Sequence, residues 1–187
     1  MEVFTQNVNF FTSIGVVIGN FVILAVIALL LIEKFGKDGL KARAESILKM
    51  TGRWGIHGAF LVALVATAIS LVYSDIIGFV PCELCWIQRI FLYPQVIILG
   101  LALWKKTKDS EIYCSALSLI GGVIALYHFY GQSFNPSALP ACDALGEASC
   151  AARYFVEFGY VTIPLMSLTG FLLILCGIHL KRRLENA

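Results

Sequence analysis

The chain has 187 residues, 59% of them hydrophobic and 14% charged, with a formal net charge of +2. Soluble domains carry about a quarter charged residues, so this composition describes an integral membrane protein without room for a separate globular domain. The basic residues lie beside apolar runs rather than in a stripe of their own, which argues against nucleic acid as a partner.

Five apolar runs are long enough to cross a bilayer as helices, at about 20 residues each. The first, Phe11–Ile32, has no Lys or Arg before it and is too long for the apolar core of a signal peptide. It reads as a retained span, and the small triplet Ala42-Arg43-Ala44 beyond it is too common a pattern to argue cleavage. Within it, Gly15 and Gly19 make a small-xxx-small pair that permits close helix contact inside a bundle.

Lys34, Lys37, Lys41, Arg43, Lys49 and Arg53 fill the connection that follows. Leu40, Ala44, Ile47 and Leu48 recur among these charges at helical spacing, which predicts a short amphipathic helix on the membrane surface. Ile56–Phe79 is the second span and Trp86–Trp104 the third, with Lys105, Lys106 and Lys108 after it. Tyr113–Tyr130 and Tyr160–Leu180 complete the set, and Lys181, Arg182 and Arg183 follow the last of them. Pro94 and Pro164 fall inside spans, where neighbouring helices can satisfy the freed carbonyls.

The expectation is an all-α membrane protein, with residues 1–55 forming a helix and its connection and residues 56–187 the main body. Of the 14 basic residues, all but Arg89 and Arg153 fall on one side if every run crosses. The positive-inside rule then puts the N-terminus outside and the C-terminus in the cytoplasm.

This topology sorts the six cysteines. Cys82, Cys85, Cys142 and Cys150 fall on the outer side, where disulfides form and persist. Cys114 and Cys176 lie toward the inner ends of their spans and read as small packing residues. Cys142 and Cys150 ride on the long outer connection Gly131–Gly159, whose first part is rich in Ser, Pro, Ala and Asn and reads as irregular. Tyr154, Phe155, Val156 and Phe158 then give an aromatic-aliphatic segment suited to the membrane interface.

The stretch that concentrates chemistry is Pro81-Cys82-Glu83-Leu84-Cys85-Trp86-Ile87-Gln88-Arg89. A Cys-x-x-Cys pair can close a small disulfide ring, and proline suits the first turn of a helix. Free N–H groups and the helix dipole there favour an anion, so a thiolate is stabilised. Arg89 lies four positions after Cys85, on the same helix face, and an arginine inside a span is a functional hypothesis by default. A structural disulfide with an interfacial arginine is the plainer reading of the same residues. Zinc held by four cysteines is a further one, although the interval from Cys142 to Cys150 is long for a knuckle. A relay of disulfides is the third: one pair against the membrane and one on a loop that meets a soluble partner. No haem, iron–sulfur or dinucleotide motif is visible, so electrons would need a lipid-soluble acceptor. Gln88 and Arg89 on the third span, with His128 and Gln132 at matching depth on the fourth, supply polar groups beside Cys85.

These motifs, together with Tyr93-Pro94, Leu126-Tyr127-His128 and Thr162-Ile163-Pro164-Leu165-Met166-Ser167-Leu168, resemble the DsbB/BdbC family of quinone-linked disulfide-forming membrane proteins. The likeness runs from about Gly55 to Leu180. It implies a four-helix transmembrane bundle from the last four spans, in a bacterial plasma membrane, plus one extra N-terminal transmembrane helix. It also implies a DsbA/BdbD-like thioredoxin-fold thiol oxidase as partner, delivering electrons to a Cys142–Cys150 disulfide with Cys142 attacked first. By the same resemblance Cys82 exchanges with Cys85, Cys85 engages a ubiquinone or menaquinone, and Arg89, Gln88, His128 and Gln132 line the quinone site. The short loop interval resembles the BdbC type. A vitamin K epoxide reductase-like enzyme is the nearest alternative family, and a scaffold with structural disulfides the non-enzymatic one.

Overall fold

The computed structural model describes residues 1–105, 107, 109–140 and 149–186. Cys142 lies outside the described residues. Among the described residues the elements are all helical: α1 (Glu2–Phe35), α2 (Asp38–Gly52), α3 (Gly55–Leu71), α4 (Glu83–Lys105), α5 (Ser110–Phe134) and α6 (Ile163–Asn186). Five of them are long and apolar enough to cross a membrane, and the short α2 is not. The all-α expectation therefore holds.

The four helices α3 to α6 form a square bundle in which each packs on its chain neighbours and α6 closes back on α3. Its core is apolar and close-packed: Ala63, Leu99, Cys114, Ala125, Phe171 and Ile174 are fully buried. Burying such side chains stabilises the bundle through close packing, since lipid is as apolar as they are. Cys114 sits in this core and Cys176 against the cluster of Val26, Leu48 and Leu180, both as packing residues. At the end of the bundle carrying Lys105 and Arg182, α3 and α6 touch backbone to backbone. A Cβ on Gly177 would lie 2.6 Å from the Gly55 carbonyl, so only glycine fits there. The other end carries the cysteine pair.

α1 lies outside the bundle and runs parallel to α6. Thr169 Oγ1 donates to Asn20 Oδ1 at 3.0 Å, and Arg183 Nη1 meets Glu33 Oε2 at 2.7 Å. Its 34 residues rise about 50 Å, well beyond a hydrocarbon core of about 30 Å. The helix starts at Glu2 rather than at the apolar boundary Phe11, because a turn in water or headgroups needs no apolar side chains. Glu2 also complements the dipole in the first turn. α2 is the expected amphipathic helix, but its Ala44 and Leu48 are buried against the rest of the chain while Leu40 and Ile47 point outward. It is packed on α1 and α6 and is not merely laid on a surface.

Two departures from regular helix shape the cysteine end. α3 runs into a π-helical turn, Val72–Ile76, in which the Ile77 N–H reaches back to the Val72 carbonyl at 2.9 Å. Such turns rotate the following side chains and recur at functional sites. The last span starts at Ile163 rather than Tyr160. Phe158 (φ 52) and Gly159 (φ 77) reverse the chain, and Glu157 and Val161 exchange backbone hydrogen bonds across the turn. The preceding aromatics stack on the turn: Tyr154 on Phe79 at 4.4 Å between ring centroids, and Phe155 on Tyr73 at 5.7 Å.

Candidate active site

Cys82 lies just ahead of α4, and its carbonyl accepts the Trp86 N–H at 3.0 Å, as a helix-capping residue does. Cys85 follows in the first turn. The Cys82 thiol donates to Cys85 Sγ at 3.0 Å, so the pair is placed to close a disulfide. As the donor to Cys85, and through burial, the Cys82 thiol is pushed from its ordinary 9.0 up to about 12.

His128 on α5 is fully buried beside this pair. The Gln88 side-chain amide donates to His128 Nδ1 at 3.1 Å, which leaves the ring proton on Nε2. That nitrogen lies 3.0 Å from the Cys150 carbonyl and 3.9 Å from Cys82 Sγ. One imidazole thus ties the segment carrying Cys150 to the Cys82–Cys85 pair. Cys150 itself is buried in a cluster with Cys82, Leu84 and Leu139. The two sulfurs of the pair and the imidazole lie within 4.8 Å of one another and, reduced, would offer three ligand atoms to a soft cation.

Gln132, one turn beyond His128, turns its amide to the same loop. Its Nε2 donates to the Ala152 carbonyl at 2.8 Å, and its own backbone carbonyl accepts from Arg153 Nε at 3.1 Å. His128 and Gln132 are therefore fasteners of the loop as well as walls of the site.

Arg89 is held differently. Its Nε donates to Ser70 Oγ and its Nη2 to the Ser70 carbonyl, both at 3.0 Å, and its guanidinium lies 5.0 Å from the Trp86 ring centroid. Tyr93 donates to the same Ser70 hydroxyl at 3.1 Å. No carboxylate reaches Arg89 among the described residues, so none of these neutralises its charge. Ser70 carries no motif that would have marked it in the sequence. Trp86 lies three positions before Arg89, a spacing that does put both on one face.

Cys85, Gln88, Arg89 and His128 share one end of a cavity of about 570 Å³. From there it runs between α1 and α3 over Met166 and Gly170 of α6, and its far walls are apolar. A flat ring with two carbonyls and an apolar chain suits this shape. The residues present fit a quinone: donors and an unneutralised cation lie at one end beside a cysteine, with an apolar trough beyond.

The family model described as "Disulfide bond formation protein DsbB" matches residues 52–180. The chain belongs to the DsbB family. It is 40% identical over 128 residues to "Probable disulfide formation protein C" of Halalkalibacterium halodurans, covering 67% of this chain and 91% of that one. It is 46% identical over 122 residues to the "SPbeta prophage-derived disulfide bond formation protein B" of Bacillus subtilis, covering 65% and 80%. "Disulfide bond formation protein C" of the same organism is 36% identical over 121 residues, covering 64% and 86%. No solved structure matches the chain. As a DsbB-family protein with five apolar helices, it is a multi-pass membrane enzyme, a thiol oxidoreductase of disulfide bond formation. α1 and most of α2 lie outside the matched region.

Proposed function

We propose that this enzyme reoxidises a thioredoxin-fold thiol oxidase outside the cytoplasm and passes the electrons through two disulfides to a membrane quinone. Residues 56–187 form the catalytic bundle, and residues 1–55 are an added helix with its connection. A thiolate of the reduced partner attacks Cys142 of a Cys142–Cys150 disulfide, and the mixed disulfide is resolved by the partner's second thiol. The partner leaves oxidised, and the loop pair holds its two electrons and two protons. The loop pair then reduces the Cys82–Cys85 disulfide by a second exchange and becomes a disulfide again. A bound quinone supplies the sink for two electrons and two protons. Cys85 faces that sink, Arg89 offers donors to oxygens that gain negative charge, and Gln88 and His128 orient the polar end. The apolar walls keep water from the exchanging sulfurs.

What carries the reading is the meeting of the Cys82–Cys85 pair, Cys150 and an unneutralised Arg89 at one end of an apolar cleft. Charge distribution supports the orientation: the Lys105 connection, Arg182 against Glu111 and Arg183 against Glu33 gather at the bundle end opposite the cysteines. That end is cytoplasmic by the positive-inside rule. The experiment is anaerobic: reduced partner, purified enzyme and quinone, with thiols and quinone absorbance followed together. Loss of two thiols for each quinone reduced is the expected result. Oxidation of partner thiols with no change in quinone would overturn it.

A further inference from the structure

Gly15 and Gly19 stand one turn apart on α1, and the structure separates their roles. A Cβ on Gly19 would come within 2.9 Å of Thr169 and 3.0 Å of Leu173, so Gly19 lets α1 close on α6. A Cβ on Gly15 would meet nothing within 4 Å, and Gly15 lines, on the α1 side, the same cavity that Cys85 and Arg89 line. Gly15 is therefore not a packing glycine. Its missing side chain is open volume.

α1 packs on α6 and α2 but not along α3, and the cavity occupies the gap left between α1 and α3. Phe11, Thr12, Gly15 and Val16 form its α1 wall. Thr12 pins that wall at the cysteine end through a 2.8 Å hydrogen bond between its hydroxyl and that of Tyr73 in the π-helical turn. The α3 wall runs from Ser70, which holds Arg89, to Leu61, about 13 Å along the helix. A quinone ring bound at Arg89 and Cys85 fills only the first part of such a trough. The remainder has apolar walls on α1 and α3: Leu61, Val62, Val65 and Val16.

We propose that α1 is a fifth wall of the quinone site, and that the space at Gly15 takes the apolar tail of the quinone as it leaves the ring site for lipid. This rests on the quinone reading above. The matched family region begins after α1, so the wall belongs to this chain's own extension. Gly15 then acts on specificity: it favours quinones with a tail over the bare ring.

The test measures equilibrium binding to the purified full-length protein of a decyl-substituted benzoquinone and of the same ring without a chain. Gly15→Phe, which fills the trough, is expected to weaken binding of the decyl compound about tenfold or more, the loss of about two methylenes' burial, and to leave the bare ring's binding near wild type. In the smaller variant Gly15→Cys, alkylation of the new thiol by a maleimide, mapped by mass spectrometry, should be slowed by the decyl compound and not by the bare ring. Equal effects on both compounds, or none on either while wild type binds both, would overturn the α1 wall. If wild type binds neither compound, the quinone reading itself fails.

Discussion

Arg89 takes two hydrogen bonds to Ser70: Nε on the hydroxyl and Nη2 on the carbonyl of the same residue, both at 3.0 Å. A guanidinium clamped this way keeps its remaining donors aimed without a carboxylate to spend them on. Arg89→Met should fold, and should reduce quinone about a hundredfold or more slowly, the cost of losing a donor to a developing oxyanion. Ser70→Ala keeps the charge but loosens its aim, so a loss of about tenfold is expected. Disulfide exchange between partner and loop should survive both changes. Wild-type quinone reduction by Arg89→Met would make Arg89 an interfacial anchor only.

Cysteine variants separate relay from packing. Cys82→Ser, Cys85→Ser, Cys142→Ser and Cys150→Ser should each bring turnover to background, while Cys114→Ala and Cys176→Ala should run near the wild-type rate. Oxidised enzyme mixed with a partner that lacks its second thiol should also accumulate a mixed disulfide through Cys142, with Cys150 released as a thiol, because the partner thiol that resolves the adduct is gone. Mass spectrometry of the adduct checks this. An adduct through another cysteine would reassign the loop.

The reduced enzyme should show a sluggish Cys82. Its thiol is pushed up to about 12, so at pH 9.0, where an ordinary cysteine is half ionised, Cys82 stays largely protonated. The folded chain then keeps a proton that the unfolded chain gives up near pH 9.0. The stability this adds to the reduced state is whole below pH 9.0 and fades as pH rises toward about 12. Iodoacetamide labelling across this range, read peptide by peptide, should reach half-maximal rate at Cys82 well above 9.0. Half-maximal labelling near the ordinary value would contradict the burial and hydrogen bond seen here.

Reporter fusions after Asp109 and after Glu185 should read as cytoplasmic, and a fusion after Ser137 as external. The opposite pattern would place the cysteine pair in a reducing compartment and remove the basis of the relay.

The spans were legible because apolar runs of bilayer length have few alternatives to helix in lipid. The Cys-x-x-Cys pair, Arg89 and His128 were legible because few residue types do redox or charge chemistry, and their depth followed from the spans. Ser70 was not, since a serine in an apolar run looks the same whether it holds an arginine or its own backbone. The π-helical turn at Val72–Ile76 leaves no pattern in residue types either. Gly15 and Gly19 read alike as a small-residue pair, and only the offset of α1 over α6 tells contact from cavity. Gln132 lines the cavity, and its second role, the amide bond to Ala152, was not legible because it is set by where the loop returns and not by its own span.

α3 touches α6 backbone to backbone where Gly55 and Gly177 meet, and about 22 Å further along the same helix Ser70 holds Arg89 of α4. That arrangement is a lever, with its fulcrum at the glycine contact and the arginine at its far end. A single methyl group added to Gly177 has no room beside the Gly55 carbonyl and must tilt the helices, so its effect would be multiplied along their length. The aim of Arg89 therefore depends on two residues that touch none of the chemistry.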